Sequence, residues 1–90
     1  MSDLGSTATV KVTVKLFAAY QDVVGSPELD LELPAGSTAQ QVGEYFWTHY
    51  PRLDSLKSIT HFGVNLDFVP ANTPLQSGDE VVLIPPVSGG

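Results

Sequence analysis

The residues best suited to chemistry stand at the end of the chain, where prolines, small residues and glycines follow an apolar run. Prolines deny a β-sheet their backbone donors, so we expect the last strand to stop there. The six residues can extend over about 20 Å, and glycine combines the narrowest cross-section with free φ. The pattern predicts an arm that carries the free carboxylate of Gly90 into a recessed site on a partner. The arm comprises Pro85, Pro86, Val87, Ser88, Gly89 and Gly90.

Other candidate residues have simpler explanations. His49 lies on the apolar stripe of a predicted helix, where a packed or edge histidine is commoner than a catalyst, and His61 has no Cys or nearby His for a metal site. Asp79 and Glu80 are adjacent, so on a strand they would point to opposite faces. We therefore predict no metal site. The competing interpretation of the arm itself is an inert, disordered terminus.

The composition narrows the classes of chemistry. The chain has 90 residues, which suits one domain, with 42% hydrophobic and 16% charged residues. The absence of Cys excludes a disulfide framework and a cysteine nucleophile, so any sulfur chemistry must use sulfur brought from outside. A net charge of -6 argues against nucleic acid and favours a basic protein partner.

The N-terminal sequence and the hydropathy of the chain predict its cellular location. No apolar stretch approaches the ~20 residues that a membrane span needs. Residues 1–9 lack the basic and hydrophobic segments of a signal peptide, so we interpret them as a flexible leader. We expect a cytoplasmic protein that does not enter membranes.

Alternation of apolar and polar residues predicts strands on both sides of one main helix. The first strand has Val10, Val12, Val14 and Leu16 on one face, and the second has Leu29, Leu31 and Leu33. Residues 18–24 between them are interpreted as a turn of helix or a wide loop. Pro34 stops the second strand.

The main helix has a start signal, an apolar stripe and a stop signal. Thr38 and Gln41 form a candidate capping box, and Pro51 ends the helix. The stripe follows i, i+3, i+4, i+7 spacing through Val42, Tyr45, Phe46 and His49. Residues 52–60 are a connection to which the pattern assigns no structure.

The remaining strands complete a ββαβββ order. Residues 62–69 predict a tight hairpin around Asn65, and the β-branched run 80–84 predicts a central strand. The fold class is therefore α+β: a β-grasp (ubiquitin-like) roll, with a mixed sheet and one main helix packed on one face. The predicted organisation is a leader at 1–9, a β-grasp domain at 10–84 and the C-terminal arm at 85–90.

Several segments resemble the small subunits of molybdopterin synthase, a family of ubiquitin-like sulfur carriers. These segments are 14–19 (VKLFAA), 33–38 (LPAGST), 63–65 (GVN) and 74–81 (PLQSGDEV), followed by 85–90 (PPVSGG). The resemblance covers nearly the whole chain from Val10 onward. Its most specific part is the end motif, whereas alternating strands are common to many folds.

The resemblance implies a sulfur-donating subunit of a sulfurtransferase complex that has no catalytic groups of its own. An ATP-dependent activating enzyme would join Gly90 transiently to AMP, and a sulfur donor protein would convert it to a thiocarboxylate. That sulfur would pass to precursor Z in molybdenum cofactor biosynthesis, within a heterotetramer formed with a large subunit. No tightly bound cofactor is expected.

Strand parity predicts a partner surface. Phe17 falls out of phase with Leu16, and Ile84 with Leu83, so we place both on the sheet face away from the helix, joined by Phe68. The resemblance assigns these three residues to contacts with the large subunit. The alternative is that they close a minor core beneath loops.

Three other functions stay open. The sulfur could go to thiamine, cysteine or tRNA thiolation. The chain could instead be a protein modifier whose Gly90 is joined to a lysine of another protein. It could also be a binding module with an inert tail.

Overall fold

A computed structural model describes residues 8–85. The sheet consists of β1 Thr9–Leu16, β2 Glu28–Pro34, β3 His61–Val64, β4 Asp67–Val69 and β5 Glu80–Ile84. The helices are α1 Ala19–Val24, α2 Ala39–His49 and a 3-10 helix Pro51–Ile59. β1 begins within the stretch that we interpreted as a leader, because Thr9 already pairs with Pro34. Residues 1–7 lie outside the description.

The five strands form one mixed sheet in the order β2-β1-β5-β3-β4. β5 runs parallel to β1 and antiparallel to β3, so its backbone is paired on both sides. β3 and β4 form the predicted hairpin. The β-grasp class, the mixed sheet and the central position of β5 are confirmed, and β5 ends before Pro85 as the proline signal predicted.

α2 covers one face of the sheet. Its start is fixed by the Thr38 backbone N–H, which donates to Gln41 Oε1 at 2.9 Å. Val42 and Phe46 of its predicted stripe pack into a core with alternate residues of four strands, and Tyr45 packs at the edge of that core. The stripe is wrong at His49, which is exposed, and it omitted Trp47, which is buried. Members of that core include Val14, Leu16, Leu31, Val42, Phe46, Trp47, Phe62, Val81 and Leu83.

Two short helices extend this core where the sequence pattern assigned little. Residues 52–60, to which the sequence pattern assigns no structure, belong almost entirely to the 3-10 helix. This helix starts with Pro51, at a position where the missing N–H of proline costs nothing. Leu53 fills the core from this helix and is 1% exposed. α1 contributes Tyr20, which is fully buried.

A directed chain of hydrogen bonds ties these helices together. Trp47 Nε1 of α2 donates to the Tyr20 hydroxyl at 2.9 Å. The Thr60 hydroxyl lies 2.6 Å from the same oxygen and donates its own proton to the Leu56 carbonyl. Tyr20 must therefore donate to Thr60. One buried hydroxyl thus links α1, α2 and the end of the 3-10 helix.

Among the described residues, none of the helices is both long and apolar enough to cross a membrane.

We predict that Tyr20→Phe lowers the free energy of unfolding by about 1–3 kcal/mol, because it leaves the buried Trp47 N–H without an acceptor. Urea denaturation followed by far-UV circular dichroism measures the change. Tyr45→Phe is the matched control, since the Tyr45 ring is only partly buried and its hydroxyl has no hydrogen bond within residues 8–85. Equal loss in both variants would contradict the hydrogen-bond account.

Candidate functional site

The candidate site lies on the sheet face opposite α2, which we call the open face. Along β5, Val81 and Leu83 are fully buried beneath α2, and Val82 and Ile84 alternate to the other side, where they are partly exposed. β5 thus presents two apolar side chains on the open face immediately before the chain leaves the sheet at Pro85.

A glycine makes a depression beside these side chains. Gly63 of β3 pairs with Val82 on one side and with Phe68 of β4 on the other. Because Gly63 has no side chain, a cavity of about 110 Å³ opens there, which we call the open-face cavity. It is lined by Gly63, Leu66, Asp67, Phe68, Val82 and Ile84.

The hairpin that walls this cavity is held to β5 by side-chain hydrogen bonds. Asn65 Nδ2 donates to Asp79 Oδ1 at 2.9 Å, and Asn65 Oδ1 accepts from the Glu80 backbone N–H at 2.9 Å. Asp79 also accepts from the Gln76 backbone N–H at 2.8 Å. Asp79 therefore closes a turn, as its sequence context predicted, and is not half of a carboxylate pair.

The β1–β2 half of the open face is polar, and several of its groups pair with one another. Lys15 Nζ lies 2.8 Å from Glu28 Oε1 and 3.7 Å from Glu80 Oε2. The hydrogen bond and charge of Glu28, followed by Glu80, raise the pKa of Lys15 and keep it protonated. Thr13 donates to Asp30 at 3.0 Å. The open face is thus divided into a polar half and an apolar half around the cavity.

The predicted contact residues are only partly brought together. Phe68 is 79% exposed and lines the open-face cavity with Ile84. Phe17 directly follows β1, is 53% exposed and does not line the cavity. This exposure contradicts the alternative in which Phe17 and Phe68 close a minor core beneath loops. Their role as partner contacts stays a prediction.

Pro85 is the last described residue of the predicted arm. The roles predicted for Pro86, Val87, Ser88, Gly89 and Gly90 concern residues outside the described range, and they too stay predictions.

Four residues that line the cavity were not predicted as contacts: Gly63, Leu66, Asp67 and Val82. The parity of β5 already indicated Val82, which shares its face with Ile84. Gly63 gave no signal by itself, because its importance depends on which residues pair with it across the sheet. Leu66 is 91% exposed, and the signal for it in the sequence was an apolar residue within a predicted turn.

The histidines have structural surroundings. His49 Nδ1 lies 2.7 Å from the Tyr45 carbonyl, and its ring stacks on Tyr45 at a centroid distance of 4.1 Å. His61 is exposed at the start of β3. Within residues 8–85, no group of three His, Cys or acidic side chains is arranged to hold a metal ion.

Comparison with known proteins identifies a family that the chain matches. Residues 14–90 match the model of the ThiS family. The chain is 33% identical to the molybdopterin synthase sulfur carrier subunit of Arabidopsis thaliana, over 93% of this chain and 88% of that protein.

Solved structures share the fold. A putative molybdopterin converting factor subunit 1 from Pyrococcus furiosus has a TM-score of 0.76 and 28% identity, covering 87% of this chain and 99% of its own. The small archaeal modifier protein 1 of Methanosarcina acetivorans has a TM-score of 0.74 and 26% identity, covering 92% and 99%. A complex of subunits 1 and 2 of the Helicobacter pylori molybdopterin-converting factor gives 0.59 and 21%, covering 90% and 100%, a likeness of fold alone.

We predict that Phe68→Ala changes the free energy of unfolding by less than about 1 kcal/mol, because an exposed ring contributes little burial. Phe62→Ala is the matched control on the paired strand, since Phe62 is 6% exposed and its loss should cost about 3–5 kcal/mol. Guanidinium denaturation of both variants measures the difference. A core-sized loss in Phe68→Ala would show that the ring is structural.

Proposed function

The chain belongs to the ThiS family, and we propose that it is the sulfur carrier subunit of a molybdopterin synthase, with the sulfur held at the carboxyl group of Gly90. The match of residues 14–90 includes the Gly-Gly end of the arm and supports the carrier role. The observation that carries the assignment to molybdopterin synthase is the similarity to the relative from Arabidopsis thaliana. The relative from Arabidopsis thaliana bears that name, and the similarity covers most of both chains.

The chemistry starts from a carboxylate, which is a poor electrophile. In the proposed cycle, a Gly90 oxygen attacks the α-phosphate of ATP on an activating enzyme and releases pyrophosphate. A donor then supplies sulfur at the sulfide level, which attacks the acyl carbon and expels AMP. The product is a thiocarboxylate, a soft nucleophile that gives its sulfur to precursor Z.

In that cycle, this chain presents the carboxyl group of the arm to the partner proteins. β5 is paired on both sides, so the point where the arm begins has a fixed position in the sheet. The acids, bases and phosphate-binding groups of the reaction belong to the partner proteins in this proposal. Such a division suits a carrier that visits an activating enzyme and an acceptor enzyme in turn.

The proposed docking partner is the molybdopterin synthase large subunit. The Arabidopsis thaliana relative is named as a subunit of molybdopterin synthase, which supports a partner of this kind. On this chain the apolar half of the open face suits such a contact, because it exposes Phe68 and Ile84 beside the start of the arm. Interface cores favour exposed aromatic and aliphatic anchors of this type.

A second candidate function is protein modification. The similarity to the archaeal modifier protein, at 26% identity, favours keeping it as an alternative. Both functions use an activated Gly90 and differ in the acceptor, which is a lysine amine for a modifier.

We predict that incubation with the activating enzyme, ATP and a sulfur donor adds about 16 Da to the intact mass, because one sulfur replaces one oxygen. Intact-protein mass spectrometry measures it, and a chain lacking Gly90 is the control that should stay unmodified. An unchanged mass under conditions that thiolate a known carrier would overturn the carrier function. A lysine-linked adduct that survives thiol reductant would favour the modifier.

We further predict that deletion of Gly90 abolishes sulfur transfer and leaves folding and large-subunit binding nearly unchanged, because the core and the open face lie upstream of the arm. Thermal denaturation and a binding titration measure the two properties retained. A fall in the melting temperature on deletion would show that the arm stabilises the fold.

A further inference from the structure

The tip of the β3–β4 hairpin combines exposure with backbone strain. Asn65 and Leu66 both have positive φ, at 51° and 76°. This left-handed region is favourable for Gly and Asn but costly for a branched aliphatic residue. Leu66 is nonetheless 91% exposed and forms one wall of the open-face cavity. Neither the core nor the turn explains a leucine at this position.

The floor of the cavity is formed by Gly63, a glycine that neither space nor backbone conformation requires there. A Cβ placed on Gly63 would lie 3.5 Å from the Asp67 carbonyl oxygen and 3.6 Å from atoms of Val82 and Ile84. These are ordinary van der Waals distances, and Gly63 does not have positive φ. An alanine would therefore fit without strain. What the glycine provides is the empty volume.

We propose that the open-face cavity is a socket for one apolar side chain of the protein that receives the sulfur, and that Leu66 is a contact residue of that socket. The inference rests on the proposed function, in which that protein is the large subunit. In this complex the partner's side chain enters between Leu66 and Phe68 and reaches the Gly63 backbone.

The position and charge of the socket favour this occupant. Ile84 lines the cavity and is followed directly by Pro85, the first residue of the arm, so a protein that binds the arm from its start also lies near the cavity. On the polar half of the same face, Lys15 pairs with Glu28 and Thr13 with Asp30. The apolar half is thus the part whose exposed surface gains most from a partner.

Electrostatics argue against a second copy of the chain as the occupant. The chain carries a net charge of -6, and Asp67 lies on the wall of the cavity. A two-fold contact through this face would bring the same carboxylates of both copies together. A partner that is basic around an apolar centre meets no such repulsion.

The test compares the binding of the large subunit from the same organism to three variants of the full chain by isothermal titration calorimetry. Gly63→Ala fills the floor of the cavity. Leu66→Asn keeps the side-chain shape, removes its apolar character and suits the left-handed backbone. Ile59→Ser is the control, because Ile59 is an exposed apolar residue (45%) at the end of the 3-10 helix.

We expect Gly63→Ala and Leu66→Asn each to weaken binding by about tenfold or more, as for central interface contacts, with Ile59→Ser unchanged. Leu66→Asn should also keep or raise the melting temperature, since it relieves strain in the free chain. If Leu66 had only a structural role, Leu66→Asn would not weaken binding while keeping or raising the melting temperature.

Each other outcome has a defined meaning. If both variants bind like the wild type but Phe68→Ala binds weakly, the socket proposal is overturned, and docking of the large subunit on the open face is retained. If the wild type does not bind the large subunit, the partner in the proposed function fails together with the socket. Self-association of the chain alone that is lost in Leu66→Asn would assign the cavity to a second copy and overturn the proposal.

Discussion

The structure depends on the pairing of β5 between β1 and β3. This pairing satisfies the backbone of β5 on both sides and fixes its pleat, so that Val81 and Leu83 face α2 and Val82 and Ile84 face outward. A slip of one residue would exchange these two sets and expose the core residues. Because Val81 and Leu83 are buried against α2, the apolar side chains of Val82 and Ile84 face outward beside Pro85. The core and the candidate docking face result from the same register.

The division of the open face follows from that arrangement. β1 and β2 carry charged and hydroxyl side chains that pair across the strands, as Lys15 and Glu28 do. On β3, β4 and β5 the open face consists mainly of Gly63, Phe68, Val82 and Ile84, with His61 and Glu80 at the starts of β3 and β5. The apolar half leaves Phe68 and Leu66 in solvent. Apolar exposure of this kind, concentrated beside the start of the arm, is typical of a contact surface.

Much of this was predictable from the sequence, for local reasons. Period-2 alternation located β1 and β2, the run of β-branched residues located β5, and the capping residues with Pro51 bounded α2. The same alternation placed Ile84 on the open face. The 3-10 helix escaped prediction because its stability comes from Leu53 and from the Tyr20, Trp47 and Thr60 hydrogen bonds, which are tertiary. The open-face cavity escaped because Gly63 acquires its meaning only from the residues that pair with it.

The central claim is that the apolar half of the open face and the arm engage one partner together. Amide chemical shifts of the labelled chain, followed by NMR during titration with the large subunit, test it most directly. The account predicts that the largest changes map to Gly63, Leu66, Phe68, Val82 and Ile84 and to residues of the arm, and that the exposed face of α2 shifts little. Changes centred on α2 or on β2, with β3 to β5 unaffected, would contradict it.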